Sequence, residues 1–409
     1  MSASNDRKQK IERIRARLAL LDARQVSVPD RPVDERELID FERRAGRRLP
    51  DEFREFVTSI GVGGEGPGGG LLPIHAWGDA ILEPSEDVFA LSCPLDPARG
   101  YGDYADSVDP AQGAIAIASD GAGAPYTLLV ISGPHRGRLA RYDPDTESCV
   151  WIERAWPVGP VGFFEFYEGW LDLRLAGGVT TFYGSALIGT EESLLRAVLA
   201  AALPDARRAR ACSGLTTLRE LSPVTRDALR DAYADLPPLL RAALVTLVAG
   251  ETSEVRVSWR DLLHDPSPMV RCMAVRHLRT HRSVEALALV ASSVDDPDDA
   301  VAEAALLASL RTPHLTFSTL ERLFERPNLR VVVVSELSRF PSARSCAMLV
   351  QALRDPDVGV RRVAAFSIGT ARCDSGTVVS LAHALESEPD VSVRNAIQRS
   401  LEKLKAIDE

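Results

Sequence analysis

Acidic side chains are the residues of this 409-residue sequence whose types and spacing point most directly to chemistry. Residues 51–130 carry 13 carboxylates against two bases, Arg54 and Arg99, which is a balance of −11 in a chain of net charge −10. Such a concentration of negative charge repels nucleic acid and attracts basic protein surfaces. A solvated acidic surface without a partner is the alternative, because acidic surfaces also aid solubility.

Eight of these carboxylates are candidates for contacting a basic partner domain. They lie in a glycine-rich stretch or in the long acidic segment 77–109, which is either a partner-specific surface or an elongated loop. The candidates are Glu65, Asp79, Glu83, Glu86, Asp87, Asp103, Asp106 and Asp109. Carboxylates at such a surface would steer a basic partner electrostatically.

The glycine-rich stretch, residues 61–70, holds seven glycines in ten positions. A loop that cradles phosphate needs a Lys-Ser/Thr pair at its end, and Leu71-Leu72-Pro73 follows here instead. The stretch therefore predicts a turn-rich crossing from a helix into a sheet, with Leu71–Ile74 entering the sheet. We expect no cofactor.

Histidines and cysteines do not form a metal or catalytic pattern. His277 and His281 are four residues apart on a predicted helix, but no glutamate follows His277 and no third ligand is near, so no metal site is predicted. No nucleophile and base are paired by their spacing, so we expect no catalytic residues and no enzymatic activity. The cysteines show no metal-ligand or redox spacing and predict buried thiols in a reducing compartment: Cys93, Cys149, Cys212, Cys272, Cys346 and Cys373.

Three helices are predicted before the glycine-rich stretch. Residues 6–24 have apolar side chains at helical spacing, and a second helix begins near Asp34 and ends at Gly46. A third helix opens at residues 49–52, where proline and two carboxylates suit a first turn, and Gly61 ends it.

A sheet and a closing helix are predicted after it. Residues 114–118, 126–132 and 138–142 have strand patterns separated by turn sequences, which indicates an antiparallel meander, and residues 151–152 suit a further strand. Aromatic side chains then recur at helical spacing between Phe163 and Leu175, and they predict a helix that packs on the sheet.

This ordered set of motifs resembles the SUKH superfamily, named after a fungal cell-wall-synthesis regulator and its relatives. The resemblance covers roughly residues 30–175 and includes Leu49-Pro50-Asp51-Glu52, Gly70-Leu71-Leu72-Pro73-Ile74 and the closing Phe163–Leu171 stretch. It implies an immunity protein of a contact-dependent or polymorphic toxin system, which blocks a cognate toxin domain, often a nuclease or deaminase. It also implies that the motifs are scaffold and that the variable acidic face is the interface.

The C-terminal half of the sequence is repetitive. Prolines at positions 266, 297, 327, 356 and 389 are 29 to 33 residues apart, and each is followed four residues later by a valine: Val270, Val301, Val331, Val360 and Val393. This period predicts helical hairpins in which proline starts the second helix and valine packs on the neighbouring unit. The acidic turn at residues 295–299 is interpreted as a solvated hairpin loop.

The repeat pattern resembles HEAT repeats of the short type first noted in phycobilin lyases. The predicted architecture is an N-terminal helix and linker at 1–29, an α+β domain with an antiparallel-rich sheet and flanking helices at 30–176, and an all-α solenoid at 190–409 whose repeats are clear from about residue 255. The two parts are expected to be separate folding units joined between residues 176 and 190.

Three functions are compatible with this sequence. The first is a cytoplasmic, non-enzymatic immunity protein that occludes a basic toxin domain and binds neither nucleic acid nor membrane. The second is an adaptor or regulatory scaffold that has no toxin partner. The third is a HEAT-repeat lyase or DNA glycosylase, which the balance of −1 over residues 181–409 does not favour.

Overall fold

In the computed structural model, the residues that can be described are 3–24, 29, 31–77, 89, 91–94, 102–103, 112–121, 125–145, 148–180, 183–249, 257–281, 283–310, 312, 314–371, 373 and 375–408. Contacts divide the chain into two compact units, Met1–Val248 and Ala249–Glu409. Within the described ranges, no helix is both long and apolar enough to cross a membrane.

The first unit begins with three helices, α1 (Ala3–Asp22), α2 (Glu35–Arg44) and α3 (Asp51–Ser59). The carboxylate of Asp34 accepts a hydrogen bond from the N–H of Arg36 and so caps α2. Gly46 follows that helix with a φ of 63°, which is the left-handed conformation that ends helices.

An antiparallel sheet forms the centre of the first unit. Its strands are β1 (Gly102–Asp103), β2 (Ala114–Ser119), β3 (Tyr126–Val130), β4 (Leu139–Asp143) and β5 (Ser148–Trp151), in the spatial order β1-β5-β4-β3-β2. The predicted meander with a further strand is thereby confirmed. From β2 to β5 each strand pairs with the next one in sequence, as short turns require, and β1 pairs with β5.

The segment 71–74, predicted to enter the sheet, touches only its edge. Leu71 forms an isolated bridge with Ala118, and the N–H of Leu72 donates to the carbonyl of Ile117 at 2.9 Å. A single 3-10 turn, Ile74–Ala76, follows at once. Pro73 explains the difference, because it lacks the N–H that would continue the ladder.

Two short strands, β6 (Glu153–Arg154) and β7 (Gly159–Pro160), lead into the closing helix α4 (Phe163–Leu175). Its aromatic side chains pack on α3, with ring centroids 4.9 Å apart for Phe56 and Phe163 and 4.5 Å apart for Phe56 and Tyr167. The buried face of α1 joins the same core through Ile11, Ile14, Leu18 and Leu21. The first helix is therefore part of the α+β core.

Four more helices complete the first unit: α5 (Glu191–Leu199), α6 (Asp205–Thr217), α7 (Pro223–Ala232) and α8 (Pro238–Val248). Glu153, which is 7% exposed, accepts hydrogen bonds from Arg207 at 3.0 Å and from Arg210 at 2.9 Å. Arg210 also donates to the carbonyl of Trp151 at 2.8 Å. These bonds fasten α6 to the sheet region, so the contact boundary falls after Val248 and not in the predicted 176–190 interval.

The second unit consists of helices in pairs. The first helices of the pairs are α9 (Trp259–Leu263), α11 (Val284–Ser292), α13 (Phe317–Phe324), α15 (Ala343–Ala352) and α17 (Ser375–Ser387). The second helices are α10 (Pro268–His281), α12 (Asp299–Ser309), α14 (Arg330–Leu337), α16 (Val358–Ile368) and α18 (Val391–Asp408). Each repeat proline lies two or three residues before the second helix of its pair, and Pro327 also begins the 3-10 turn that leads into α14.

Four of the five repeat valines are buried as predicted, and Val331 is not. Val331 is 39% exposed, whereas Val333 and Leu329 are fully buried. A 3-10 turn, Pro327–Leu329, precedes α14 in this repeat and changes which side of the helix faces the core. The prediction that Val331 packs on the neighbouring unit is therefore wrong.

Arginines join successive repeats of the second unit. Arg271 donates from Nε and Nη2 to the carboxylate of Asp296 at 2.7 and 2.8 Å, and from Nη1 to the carbonyl of Asp265 at 2.8 Å. The hydrogen bond with Asp296 raises the pKa of Arg271 above its ordinary value. Burial opposes ionisation of Asp296, but the bonds from Arg271 and backbone prevail and lower its pKa.

In the next repeat the arginine that bonds to the turn is supplied by the following repeat. Ala302 stands where Arg271 stands one repeat earlier, and the site is filled by Arg326, which donates to the carbonyl of Asp296 at 2.7 Å and to the carboxylate of Asp299. Asp295 pairs with Arg322 at 2.8 Å. The acidic turn at 295–299 is therefore held in ion pairs with its neighbours rather than merely solvated.

Two of the six cysteines form a disulfide, which corrects the prediction of thiols throughout. Cys346 on α15 and Cys373, just before α17, are bonded, with their Cα atoms 5.8 Å apart. The spacing of 27 residues gave no sign of the pair, because consecutive helices of the solenoid bring the two positions together. The other four cysteines are outside the disulfide, and three of those are buried.

Candidate functional site

Glu65 is the one predicted interface carboxylate whose side chain lies in the described part of the chain. It sits in the glycine-rich loop 61–70, is partly exposed, and accepts a hydrogen bond from Arg174 of α4 at 3.0 Å. Asp103 lies in β1 opposite Ser148 of β5. The other six lie outside the described residues: Asp79, Glu83, Glu86, Asp87, Asp106 and Asp109. The acidic interface therefore stays a prediction.

The glycine-rich loop is packed closely against the sheet and against itself. The N–H of Gly69 donates to the carbonyl of Ser119 at 2.7 Å, and a Cβ on Gly68 would lie 2.6 Å from Oδ1 of Asp120. Gly70 has a φ of 129°, and a Cβ there would lie 2.4 Å from the carbonyl oxygen of Gly64. Its glycines serve close backbone approach, which agrees with a helix-to-sheet crossing.

Under this loop lies a buried ion pair. Asp120 bonds to Arg141, and Arg141 also donates to the hydroxyl of Thr127 at 3.0 Å. Burial lowers the pKa of Arg141, although Asp120 opposes this effect. The pair connects the turn after β2 to the centre of β4 and so holds the sheet edge on which the loop rests.

A cleft of about 720 Å³ opens in the first unit where α4, residues 183–190, α5 and the end of α6 meet. Its apolar lining includes Leu173, Leu187, Ile188, Leu194 and Leu218. None of these residues was singled out by sequence reasoning, because the cleft is assembled from side chains as far apart in the chain as Lys10 and Leu218.

Carboxylates of α4 form the polar side of this cleft. Glu165, Glu168 and Asp172 follow one another at helical spacing and all line it. Glu168 and Asp172 both pair with Arg17 of α1 at 2.9 Å. Burial raises the pKa of Asp172, although the charge of Arg17 opposes it. These acids are thus already partly neutralised by the protein itself.

Trp156 and Tyr183 give the cleft its aromatic surface. Trp156 is 42% exposed, whereas Tyr183 is buried and donates its hydroxyl to the carbonyl of Phe166 at 3.2 Å. Burial raises the pKa of Tyr183 well above its ordinary value. The hydroxyl of Ser193 donates to the carbonyl of Thr190 at 2.9 Å. The arrangement suits capture of an apolar side chain from a partner protein.

His277, one of the two histidines spaced four residues apart on α10, packs on an aromatic side chain. The ring of His277 stacks on Trp259, with centroids 5.0 Å apart and an interplanar angle of 16°. Across the described ranges, no group of three or more histidine, cysteine, aspartate or glutamate side chains is placed to hold a metal ion.

Comparison with known families agrees with both parts of this architecture. Residues 32–154 match the SMI1/KNR4 family (SUKH-1), and residues 318–402 match HEAT repeats. The predicted resemblance to a SUKH domain fused to HEAT repeats is therefore confirmed. No curated protein matches the chain.

Two similar solved structures are a complex of human deoxyhypusine hydroxylase with glycerol and an engineered protein. The first is 18% identical, covers 53% of this chain and 96% of its own, and has a TM-score of 0.23. The second is 16% identical, covers 53% of this chain and 85% of its own, and has a TM-score of 0.17. At these TM-scores, neither carries an argument about fold or function.

Proposed function

We propose that this protein is a non-enzymatic, cytoplasmic immunity protein that binds a cognate bacterial toxin domain and neutralises it by occlusion. The observation that carries the proposal is the SUKH-1 match at residues 32–154 in one chain with HEAT repeats at 318–402. The SUKH match is consistent with an immunity-protein family, and HEAT repeats are typical of protein-binding scaffolds.

Apolar residues of the SUKH-like motifs are buried in the core, which supports a binding role for the surface residues around them. Leu49 and Phe53 are buried, and the rings of Phe53 and Phe163 lie 4.9 Å apart in the core. The carboxylate of Glu52 accepts a hydrogen bond from the N–H of Phe164 at 3.3 Å and so satisfies one of the free backbone donors in the first turn of α4. Because these motif residues build the scaffold, specificity for a partner is left to the surfaces around it.

The partner in this proposal is a basic toxin domain, of the nuclease or deaminase kind. The excess of 11 negative charges over residues 51–130 would speed its association, and carboxylates that lose water in the complex would slow its release. The apolar cleft beside Trp156 offers an anchor site in the same unit. Aromatic residues at such sites often dominate the binding energy of an interface.

The test is a titration of the purified protein against the toxin domain encoded by a neighbouring gene. We expect the toxin's enzymatic activity to fall to zero at equimolar protein, with binding that weakens as salt rises. Undiminished toxin activity under saturating protein would overturn the proposal. Binding without inhibition would favour the adaptor or scaffold alternative, and turnover of a bilin or damaged-DNA substrate by this protein would favour the enzymatic one.

Charge reversal tests the acidic face separately. Changing Glu83, Glu86, Asp87 and Asp106 to lysine should weaken binding by roughly 100-fold and reduce its salt dependence. The matched control changes to lysine four exposed acids of the same unit that lie outside the proposed acidic face: Asp22, Glu37, Glu220 and Asp235. Equal affinities of the two variants would remove the acidic face from the proposal and direct attention to the cleft and the solenoid.

A further inference from the structure

The second unit carries a groove between two neighbouring second helices, α16 and α18. Its volume is about 360 Å³, and it is lined by three cations, Arg362, Arg399 and Lys403, around the ring of Phe366. Phe366 is 66% exposed. Single apolar side chains are common on protein surfaces, so the feature that distinguishes this groove is the three cations that line it together with the ring.

The cations of this groove differ from the other arginines of the repeats. Arg361 pairs with Glu388 at 2.9 Å, and Arg330 pairs with Asp355 at 2.9 Å. Arg362, the residue after Arg361 on α16, is exposed. Among the described residues, no carboxylate lies within ion-pair distance of the three groove cations. The groove is therefore an uncompensated positive site in an acidic protein.

The floor of the groove is held by close helix packing. Gly369, at the end of α16, lies so near α18 that a Cβ there would be 2.6 Å from Oγ of Ser400. Ser400 is 4% exposed and lines the groove. The spacing of α16 and α18 at this point is thus set by direct contact.

We propose that this groove binds a short acidic segment of a partner protein that carries one bulky apolar side chain. The apolar side chain would pack on Phe366, and carboxylates on either side would pair with Arg362 of α16 and with Arg399 and Lys403 of α18. Guanidinium–carboxylate bonds are strong and directional when charge-assisted, so three cations around one aromatic ring define such a ligand. This site is separate from the basic-partner surface proposed for the first unit.

Charge along the neighbouring helices favours an acidic peptide over a single-stranded nucleic acid. A nucleic acid needs a positive track that follows its backbone for several nucleotides. Here the exposed face of the second helices also presents Glu303 on α12 and Glu402 on α18, which interrupt any such track. Three cations around one ring match a few carboxylates and one anchor more closely.

The test uses the full-length protein and a fluorescein-labelled peptide of aspartate and glutamate around a central Leu-Phe pair. Fluorescence anisotropy should report saturable binding that falls as salt rises, and the peptide with amides in place of the carboxylates should not bind. The Arg362→Glu/Arg399→Glu variant should bind at least about tenfold more weakly, and Phe366→Ala several-fold more weakly. Thermal unfolding of each variant verifies that the unit still folds.

The matched control is the Arg276→Glu/Arg279→Glu variant, which removes two exposed arginines from α10. It should bind the peptide as the unchanged protein does. Absence of peptide binding, or an equal loss in the control variant, would overturn the proposal. Tighter groove-dependent binding of a fluorescein-labelled oligothymidylate than of the peptide would also overturn it and assign the groove to nucleic acid.

Discussion

The guanidinium of Arg361 donates two hydrogen bonds to the carboxylate of Glu388, from Nε to Oε2 and from Nη2 to Oε1, both at 2.9 Å. Its Nη1 donates to the carbonyl of Asp355 at 2.9 Å, so one side chain joins the turn of its own repeat to the turn of the next. Both side chains are mostly buried, with 13% and 5% exposed. The hydrogen bond from Arg361 lowers the pKa of Glu388 below its ordinary value.

Truncating that arginine should destabilise the second unit. Arg361→Ala leaves the carboxylate of Glu388 buried without its partner, and we expect a loss of about 3 kcal/mol in the free energy of unfolding. Urea unfolding followed by circular dichroism measures it. Arg362→Ala is the control, because that neighbouring side chain is exposed, and it should change stability by less than about 0.5 kcal/mol. Similar losses in the two variants would show that Arg361 does not join the repeats.

Acid should unfold the second unit through the same carboxylates. The folded pKa of Glu388 and that of Asp296 are both lowered, so their stabilising effect is fully present above the unfolded pKa values and is lost as pH falls through the folded ones. We expect a flat melting temperature from neutral pH down to about pH 5 and a steep fall below about pH 4. Glu388→Gln should flatten that fall, and an unaltered acid limb would contradict the assignment.

The junction between α6 and the sheet region should depend on Glu153. Glu153→Gln removes the charge that Arg207 and Arg210 share, at a cost of about 2–3 kcal/mol. Hydrogen exchange should then show lost protection in α6 before it is lost in the sheet. Glu165→Gln serves as control, because its pair with Arg154 at 3.3 Å is roughly 40% exposed on both sides, and protection of α6 should be retained.

Alanine variants of two glycines with positive φ can distinguish the destabilisation caused by steric crowding from that caused by backbone strain. Gly70 and Gly121 have φ values of 129° and 140°. A Cβ at Gly70 would lie 2.4 Å from a backbone oxygen, whereas a Cβ at Gly121 would have no neighbour within 4 Å in the described part of the chain. Both alanine variants should lose about 1–3 kcal/mol from backbone strain. Gly70→Ala should lose more, measured by thermal melting, and an equal loss would mean that the loop relaxes around the added methyl group.

In the repeat that begins at Pro327, Val333 is buried in place of Val331, and alanine variants of the two valines test this difference. Val333→Ala should cost about 2–3 kcal/mol because it opens a cavity in the core, and Val331→Ala should cost less than about 0.5 kcal/mol. Chemical denaturation compares the two variants directly. The reverse order of the two losses would restore the simple proline-to-valine rule for this repeat.

Local patterns in the sequence were sufficient to predict the helices and strands and their order along the chain. The proline period of 29 to 33 residues located each second helix, and Asp34 and Gly46 marked the two ends of α2. Turn residues between apolar runs identified the meander of β2 to β5. These features depend on capping, backbone freedom and hydrophobic periodicity, which act over a few residues and are therefore readable in one chain.

Contacts between distant residues were decided only by the tertiary structure. A single 3-10 turn before α14 exposed Val331 and buried Val333, and the guanidinium site left by Ala302 was filled by Arg326 from the next repeat. The cleft beside Trp156 and the open cations around Phe366 arise in the same way. Which side chains meet, and which charges stay unpaired, depends on how helices stack, and residue spacing does not encode that arrangement.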